Sequence, residues 1–490
     1  MTEPTAPIEL HGHAARLATT AVDPAALIDR LRAVCDIDTA VERVADASRD
    51  WWPLAMHWAL RGEVPQLAPV IARPTSTEQV ARLLSLCSSH RVPVTAAGGR
   101  SGVVGASVPV FGGVLLDLTA MQGLVSVDET SGIVEVLPGT FGPDLEHQLR
   151  TEHALTVGHF PQSFDLATVG GWVACRGAGQ YSTRYGKIEH IVAGLEVVLA
   201  DGSVIRTGTG PAAAQGPDLT QIFVGSEGTL GVITRVWLKA RPVPPTEGRA
   251  AYAFTSFTDG LEACRRILRS GATPAVLRLY DAVESQRGQD GDGTQCILLV
   301  LDEGDPIVVD ATMAVVAREC GGADDLGPER VERWLHHRND TSALQALTRK
   351  GFVVDTLEIA APWAALPRIL DDVRAAMLAV PHARAATCHL SHSYVDGACL
   401  YFTFAATPPA DEVESTYVAL WDAGQRAVLA AGGNLSHHHG IGLNRARFMA
   451  DASGSALTLL QTLKDALDPT GVLNPGKMGL HSPFGEVHWP

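Results

Sequence analysis

The pattern of hydrophobic and polar positions changes from helical to α/β character within the first third of the chain. Residues 23–35 and 39–51 each carry apolar side chains at helical spacing, with an aspartate at or just before each start. Two helices are therefore predicted, and we interpret residues 1–64 as a helical N-terminal arm. From residue 68 onward a strand, an amphipathic helix capped by Ser76 and a second strand follow, which predicts an α/β unit.

Strands dominate the next hundred residues and end in a hairpin. Three strands and one helix are predicted, at 113–118, 124–128, 133–137 and 143–152. Asp201 and Gly202 then separate two apolar runs, and an Asp-Gly pair in that position is a strong hairpin signal. We therefore predict a hairpin over residues 195–205.

The second half of the chain alternates strands with amphipathic helices. Prolines at 242, 244 and 245 cannot continue a strand ladder, so they mark a domain boundary. Beyond it, strands are predicted at 250–256, 275–280, 296–301, 352–358, 385–392 and 398–405. Helices are predicted at 258–270, 306–320, 362–379 and 410–431. This alternation favours an antiparallel sheet covered by helices, hence an α+β fold class.

Composition and charge narrow the class of protein. A chain of 490 residues exceeds the size of one hydrophobic core, and its net charge of -16 repels nucleic acid. No apolar run approaches the roughly 18 residues that span a bilayer. The N-terminus has no features of a secretion signal, so we predict a cytoplasmic protein. The eight irregularly spaced cysteines form no C-x-x-C pair, which favours reduced thiols.

Three glycine-rich stretches expose backbone amides that suit phosphate groups. They are Thr95–Gly105, the pair Gly170 and Gly171 just after Thr168, and Gly225–Gly231. None matches a P-loop or a dinucleotide-binding fingerprint. Because glycine pairs also mark ordinary tight turns, each stretch alone leaves that structural interpretation open.

Three polar features in the second half are candidates for chemistry. Arg278 lies in an apolar strand, where a buried cation needs a partner. Period-two spacing places His389, Ser391 and Ser393 on one strand face, and Cys399 and Tyr401 on one face of the next. Three consecutive histidines, 437–439, end at a glycine turn. Taken singly, Arg278 is equally well explained as part of a structural ion pair, Tyr401 as a core tyrosine and residues 437–439 as an exposed polar loop.

The glycine-rich stretches, in this order and separation, resemble the FAD-binding half of the vanillyl-alcohol oxidase superfamily, which has a PCMH-type domain of two subdomains. The resemblance covers residues 65–245 and implies a bound FAD. It assigns cofactor contacts to Thr95, Ala96, Ala97, Gly98, Gly99, Arg100, Ser101, Gln162, Ser163, Thr168, Gly170, Gly171, Cys175, Arg176, Gly177, Ala178, Glu227, Gly228, Thr229, Gly231, Val232 and Ile233.

The polar features resemble one branch of that superfamily, the alkyldihydroxyacetone-phosphate synthases (alkylglycerone-phosphate synthases). The shared motifs are the Arg278 strand, Gly397–Phe402, Ser436–Gly440 and the segment Leu467–Lys477. The resemblance implies that Tyr401 is a catalytic acid or base, that His437, His438 and His439 assist proton transfer and bind substrate, and that Arg278 is required near the flavin. It also implies a small-molecule substrate and a homodimer.

Two departures from the family pattern change what is expected. Some relatives attach FAD covalently through a histidine in the first loop, and because residues 95–105 contain none, we predict non-covalent FAD. The synthases have an arginine for the substrate phosphate where this chain has His389, and a histidine binds phosphate less tightly. We assign His389, His392 and His159 to substrate binding, with His159 at the mouth of the site.

These residues give four domains or segments and three hypotheses for function. The segments are an arm (1–64), a PCMH-type FAD-binding domain (65–245), a cap domain (246–432) and a C-terminal segment that returns to the FAD domain (433–490). We favour an oxidoreductase that transfers hydride to flavin. The first alternative is an alkylglycerone-phosphate synthase, a transferase without net redox change. The second is a metal-assisted 2-hydroxy-acid dehydrogenase that uses the histidines, although we predict no bound metal.

Overall fold

A computed structural model describes residues 8–208, 210–340, 342–487 and 489 of the chain. The first seven residues of the predicted arm lie outside this range. The α+β class is confirmed, because a seven-stranded antiparallel sheet and a five-stranded antiparallel sheet are accompanied by a four-stranded, mainly parallel sheet. Within these ranges no helix is both long and apolar enough to cross a membrane.

The N-terminal segment contains short strands as well as the predicted helices. Its elements are β1 (Ala14–Ala15), a 3-10 turn (Ala25–Leu27), α1 (Ile28–Arg32), β2 (Asp36–Asp38), α2 (Val41–Ala47), α3 (Pro53–Ala59) and β3 (Glu63–Val64). The strands were not predicted, because two or three residues are too few to show an alternating pattern. Asp38 of β2 pairs with Ile71, so this segment adds an edge strand to the FAD-binding part.

Two larger sheets and a two-stranded pair form the FAD-binding part. Its elements are β4 (Val70–Arg73), α4 (Thr77–Ser89), β5 (Val94–Ala97), β6 (Val114–Asp117), a 3-10 turn (Leu118–Ala120), β7 (Leu124–Asp128), β8 (Ile133–Val136), α5 (Gly142–Glu152), β9 (Leu155–Thr156), α6 (Val169–Ala174), α7 (Ser182–Tyr185), α8 (Ile188–Ile191), β10 (Val192–Val198), β11 (Val204–Arg206), α9 (Thr220–Phe223), β12 (Val232–Lys239) and β13 (Arg241–Pro242). The strand orders of the larger sheets are β2-β4-β6-β5 and β11-β10-β12-β8-β7, and the two-stranded pair is β9 with β13. The predicted hairpin is β10 and β11, paired antiparallel around Asp201 and Gly202.

The second half forms one seven-stranded antiparallel sheet. Its elements are β14 (Thr246–Phe254), α10 (Phe257–Arg269), β15 (Val276–Tyr280), α11 (Ala282–Gly288), β16 (Cys296–Gly304), α12 (Pro306–Glu319), β17 (Asp324–Asp325), α13 (Glu329–His337), α14 (Ser342–Arg349), β18 (Val353–Pro362), α15 (Leu366–Leu378), β19 (Ala383–Ser393), β20 (Gly397–Ala406) and α16 (Val413–Ala430). The strand order is β17-β14-β16-β15-β19-β20-β18. Six of the seven strands and α10, α12, α15 and α16 agree with the predicted pattern, whereas the two-residue β17 and helices α11, α13 and α14 were not predicted.

The C-terminal segment packs back onto the FAD-binding part. After a 3-10 turn (Ala446–Phe448), α17 (Met449–Ser453) and α18 (Ser455–Leu467), the backbone at Leu473 forms a parallel bridge with Val94 of β5. The side chain of Asn474 donates a 2.7 Å hydrogen bond to the carbonyl of Glu227. The histidine loop, residues 437–439, contacts both parts, because the His437 carbonyl accepts from Lys187 and the His438 amide donates to Glu358 of β18.

Candidate active site

A row of four polar side chains crosses the seven-stranded sheet on one face. In the strand registers Tyr280 of β15 stands opposite His389 of β19, which stands opposite Tyr401 of β20, which stands opposite Glu358 of β18. Side chains alternate between the two faces of a strand, so residues next to this row point into the helix-covered core. The buried neighbours on that opposite face are Leu279, Leu390, Leu400 and Leu357.

A bulge in β19 brings a second histidine onto the same face. The pairing with β20 shifts between Leu390 and His392, so His392 stands opposite Cys399. The extra residue reverses the alternation, which is why His392 joins His389 although the two are three positions apart. The predicted face of His389, Ser391 and Ser393 therefore omitted His392, because a bulge has no signal in this sequence.

The three-histidine loop is fixed by Glu358, which is fully buried. Its carboxylate accepts hydrogen bonds from Ser436 Oγ at 2.6 Å and from the backbone amides of His438 and His439 at 3.1 and 2.8 Å. The guanidinium of Arg445, also fully buried, pairs with both carboxylate oxygens. No motif or pattern in the sequence singles out Glu358 or Arg445, yet together they position the loop.

The rings predicted from separate motifs lie together. The Tyr401 ring stacks 4.8 Å from His389, and its centroid is 5.9 Å from His438 and 5.6 Å from His439. His437 is 4.8 Å from the ring of His392. Since β19, β20 and the loop each contribute, the structure assembles one aromatic and imidazole cluster from residues up to 50 positions apart.

The buried imidazoles of this cluster are neutral near neutral pH. Burial is the main cause that holds the pKa of His437 and of His438 well below its ordinary value, and the charge of Lys187 lowers that of His437 further. The pKa of His392 is also well below its ordinary value. Burial is the main cause, and the neighbouring His437 is the second. Imidazoles with lowered pKa values serve as neutral hydrogen-bond acceptors or donors.

Tyr401 is a hydrogen-bond donor in this structure. Its hydroxyl donates to Thr356 Oγ1 at 3.1 Å, and burial raises the pKa of Tyr401 above its ordinary value of 10.0. A phenol with a raised pKa keeps its proton at neutral pH. Of the two roles implied for Tyr401, the structure therefore favours proton or hydrogen-bond donation over action as a base.

Arg278 is bonded to neighbours on the same sheet face. Its Nε donates to the hydroxyl of Tyr280 and its Nη2 to His389 Nε2, each at 2.7 Å. The other ring nitrogen of His389 lies 2.7 Å from a carboxylate oxygen of Glu284, at the start of α11. Glu284 was missed because α11 shows no apolar periodicity.

The segments assigned to FAD contact one another, and their glycines are required for that contact. A Cβ on Gly98 would lie 2.2 Å from Thr168 Oγ1, and one on Gly99 would lie 1.8 Å from the carbonyl oxygen of Leu166. A Cβ on Gly228 would lie 3.6 Å from that of Ala96. Three glycines thus lie against neighbouring segments without side chains of their own, which fits a group that binds through backbone amides.

The remaining cofactor assignments fall on these same segments. Thr95, Ala96 and Ala97 end β5, and Gly98, Gly99, Arg100 and Ser101 follow it. Thr168 caps α6 by accepting from the Gly171 amide at 3.4 Å, with Gly170 in the first turn and Cys175, Arg176, Gly177 and Ala178 after the last. Gln162 is exposed and Ser163 half-buried. Gly228, Thr229 and Gly231 precede Val232 and Ile233 of β12.

Two of the assigned side chains are engaged by protein groups. We expected Glu227 to accept hydrogen bonds from FAD, but its two oxygens accept from the amides of Ile441 and Gly442 at 2.6 and 2.8 Å. Glu227 thus fastens the end of the histidine loop. The guanidinium of Arg100 lies 3.7 Å from Asp117, so a protein carboxylate accompanies it beside the first loop.

His159 lies inside the FAD-binding part, not at the mouth where we placed it. It is fully buried, its ring is 4.8 Å from that of Trp172, and neither ring nitrogen has a hydrogen-bond partner among the described residues. Burial and the charge of Lys187 lower the pKa of His159 to about 3. A neutral, unpartnered imidazole next to Gly177 fits contact with a bound cofactor better than contact with an entering substrate.

Lys187 is a second residue that the sequence did not indicate. Its Nζ donates a 2.5 Å hydrogen bond to the carbonyl of His437 and lies 3.5 Å from Glu189. Lys187 belongs to the FAD-binding part, so this bond joins that part to the histidine loop. A cation therefore lies directly beside the imidazole cluster.

Three of the imidazoles also satisfy the distance requirement for a metal. In the described part of the chain, ligand atoms of His392, His437 and His438 all lie within 4.8 Å of one another. The cluster is internally bonded, since His437 Nε2 is 2.6 Å from the Tyr394 hydroxyl and the Nδ1 atoms of His437 and His438 are 2.8 Å apart. These bonds explain the cluster without an ion.

Two protein-family models match the chain and cover both halves. A model of an FAD binding domain matches residues 68–208, and a model of the C-terminal domain of FAD linked oxidases matches residues 243–478. A solved structure of alkyldihydroxyacetonephosphate synthase has the same fold, with a TM-score of 0.78 and 24% identity, and the match covers 97% of this chain and 88% of that one. The predicted superfamily and the FAD cofactor are therefore confirmed.

Curated relatives include enzymes of more than one activity. The uncharacterized FAD-linked oxidoreductase YgcU of Escherichia coli (strain K12) is 34% identical over 82% of this chain and 87% of its own. Alkyldihydroxyacetonephosphate synthase of Dictyostelium discoideum is 29% identical over 85% and 74%, and glycolate oxidase subunit GlcD of Bacillus subtilis (strain 168) is 27% identical over 83% and 88%. With both halves matched and its site assembled between them, this chain belongs to the FAD-linked oxidoreductase family and is an FAD-dependent enzyme.

Proposed function

We propose that this enzyme oxidises a small organic substrate by removing a hydride from carbon and a proton from the adjoining hydroxyl group. The observation that carries the proposal is His389, a neutral imidazole where the synthases have a phosphate-binding arginine. An imidazole can accept a proton near neutral pH, which a guanidinium cannot. FAD, when bound, supplies the two-electron acceptor for the hydride.

The residues around His389 have complementary tasks. Arg278 offers N–H donors to an oxygen that gains negative charge, and Tyr401 offers a neutral hydroxyl as a further donor. His437 and His438 wall the site with uncharged rings. Gly98 and Gly99 would hold the phosphates of the cofactor on the opposite side through backbone amides.

The relatives support oxidation and also name the chief alternative. YgcU is named an FAD-linked oxidoreductase and GlcD a glycolate oxidase subunit, so alcohols and 2-hydroxy acids form a sensible substrate panel. Alkyldihydroxyacetonephosphate synthase, also a relative, makes the non-redox transferase the second candidate. The Arg278 strand and the Ser436–Gly440 loop favour that candidate, whereas His389 disfavours it.

Anaerobic spectroscopy of the yellow holoenzyme separates the two. Glycolate, D- and L-lactate, glycerol and primary alcohols are added in turn, and flavin absorbance is followed before and after air or an acceptor dye is admitted. We expect one of the hydroxy compounds to bleach the flavin and oxidant to restore it. The transferase is correct instead if none bleaches it while acyl-dihydroxyacetone phosphate and a fatty alcohol yield an ether.

Tyr401→Phe is expected to lower the rate constant for flavin reduction by about 10²-fold, because one donor to the developing negative charge is lost. Flavin content and thermal stability remain near wild type, since the hydroxyl makes one 3.1 Å bond to Thr356. Tyr252→Phe is the matched control, a buried tyrosine in β14 outside the cluster. Equal rates for wild type and Tyr401→Phe would remove Tyr401 from the reaction.

The purified protein is expected to contain well under one zinc per chain by elemental analysis. His392, His437 and His438 lie at suitable distances, but the Lys187 cation beside His437 opposes a second positive charge, and no carboxylate belongs to the group. Zinc at one per chain, lost together with activity on chelation, would instead support the metal-assisted dehydrogenase.

A further inference from the structure

His389 is bonded through both ring nitrogens, and the two partners define its tautomer. Nδ1 lies 2.7 Å from Glu284 Oε2, and Thr387 donates a 2.7 Å bond to the other oxygen of Glu284. Burial alone raises the pKa of Glu284, but the His389 ring and the Arg278 guanidinium bring it down to about 2. An ionised carboxylate only accepts hydrogen bonds, so the hydrogen of His389 is on Nδ1.

The second nitrogen of His389 is an acceptor. Arg278 Nη2 lies 2.7 Å from His389 Nε2, and a guanidinium has donors only. The Nε2 lone pair therefore points at a cation that also forms a bond to Tyr280. His389 is rigid, since its side chain is 7% exposed and stacked on Tyr401, whereas Arg278 is partly exposed and has a long side chain that can move.

We propose that His389 is the general base of the oxidation and that Glu284 is the residue that positions it. This inference rests on the proposed function. The substrate hydroxyl enters between Arg278 and His389, donates to Nε2 and accepts from the guanidinium. The O–H proton passes to Nε2, and the C–H hydrogen leaves with both bonding electrons, for which bound FAD would be the two-electron acceptor. The electron pair of the former O–H bond closes the C=O bond.

Glu284 stabilises the imidazolium that results. A carboxylate behind a histidine holds the ring in one tautomer and offsets the charge that the ring gains on accepting a proton. Arg278 changes partner when the substrate enters, from a neutral nitrogen to a hydroxyl oxygen that gains negative charge in the step, and hydrogen bonds to charged groups are the stronger kind. Both charges that develop in the step thus have a partner in place.

His439 is the rival candidate, because it too has a carboxylate beside it. Its Nδ1 lies 3.1 Å from Glu358, but that carboxylate is already paired with the buried Arg445 and accepts three further hydrogen bonds from the loop. Arg445 therefore already compensates the negative charge of Glu358, which leaves Glu358 less able to stabilise an imidazolium. Among the described residues the Glu284 carboxylate is hydrogen-bonded to His389 and Thr387, and no guanidinium pairs with both of its oxygens.

The charged and titratable groups around His389 predict how the pH profile changes. Burial and Arg278 lower the pKa of His389, whereas Glu284 and Asp281 raise it. A base acts when unprotonated, so the reduction rate rises with pH through this pKa. Loss of Glu284 lowers that pKa, and the rising limb moves to lower pH. The groups that face the ring are Arg278, Tyr280, Asp281, Glu284 and Tyr401.

Ring-nitrogen NMR of ¹⁵N-histidine protein tests the geometry without any substrate. One signal, identified by its loss in His389→Gln, is expected to show hydrogen on Nδ1 and a lone pair on Nε2. In Glu284→Gln this tautomer preference is expected to weaken, because only the Arg278 bond to Nε2 then favours it, while Glu284→Asp retains more of it. Glu412→Gln is the control, because it removes the carboxylate 3.1 Å from His382 in an exposed His–Glu pair.

Stopped-flow flavin reduction then tests the role, using whichever of glycolate, lactate or glycerol bleaches the wild-type flavin. Glu284→Gln and His389→Gln are expected to be about 10²-fold slower with flavin content unchanged, and the Glu284→Gln profile shifts to lower pH. Partial rescue by Glu284→Asp shows that the carboxylate matters.

Unaltered rates and an unaltered pH profile in both variants would overturn the assignment while leaving the oxidoreductase proposal intact. The same holds if His439→Gln, not His389→Gln, abolishes the rising limb. If no compound bleaches the wild-type flavin, the proposed function fails first, and the base role fails with it.

Discussion

Glu358→Gln is expected to destabilise the protein by about 3–5 kcal/mol and to abolish turnover. Glu358 and Arg445 are both fully buried, and the substitution leaves the guanidinium without a counter-charge in a site that water does not reach. The carboxylate also accepts from Ser436 and from the backbone of His438 and His439, so the loop loses its anchor.

A second substitution separates the two effects. Removing both charges, as in Glu358→Gln with Arg445→Met, takes away the uncompensated cation and is expected to restore much of the stability. Turnover stays low, because the histidine loop remains unanchored. Denaturant unfolding measures the first effect and flavin reduction the second. Glu412→Gln, an exposed carboxylate, serves as the control and is expected to change stability by less than about 0.5 kcal/mol.

The pH dependence of the stabilisation by Glu358 follows from the direction in which its pKa is shifted. Although burial alone raises it, Arg445 and His439 hold the pKa of Glu358 well below its ordinary value of 4.5. Because the pKa of Glu358 is lower in the folded state, the ionised carboxylate stabilises the fold at every pH above its unfolded-state pKa. This stabilisation is lost only as the pH falls through the folded-state pKa. Between pH 5 and 8 the contribution is therefore constant, and equal stability of Glu358→Gln and wild type in this range would refute it.

Sequence patterns predicted the sheet well because its strands have one apolar face. The core is built from alternating positions such as Leu277, Leu279, Leu400 and Phe402, and that alternation is local information. The short helix α11 was not predicted because its seven residues have no apolar stripe. Glu284 lies in this helix, so its role was missed as well.

The chemistry was predictable in part for a different reason. Tyr401 and residues 437–439 are unusual enough to notice singly, and the structure brings them together. Glu358 and Lys187 are ordinary charged residues in the sequence. Strand register places Glu358 in the site, and the contact between the two halves of the chain places Lys187 there. Register across four strands is a tertiary property, so no local pattern could have supplied it.

Gly99→Ala is expected to abolish FAD retention. The added Cβ would lie 1.8 Å from the Leu166 carbonyl oxygen and 2.9 Å from its carbon, and both are backbone atoms that cannot rotate aside. The first loop must therefore move away from the Thr168 segment. Such overpacking costs about 1–3 kcal/mol, and since about 1.4 kcal/mol is a tenfold change in affinity, flavin is lost on purification.

Gly322→Ala is the matched control for this substitution, because nothing lies within 4 Å of the position where its Cβ would be. FAD per chain is measured from absorbance after acid precipitation, which also tests whether the flavin is released and hence non-covalent. Circular dichroism of Gly99→Ala is expected to match wild type, since the change falls in a loop and not in a sheet core. Full FAD occupancy in Gly99→Ala would mean that the loops meet differently, and that the cofactor does not depend on bare backbone at Gly98 and Gly99.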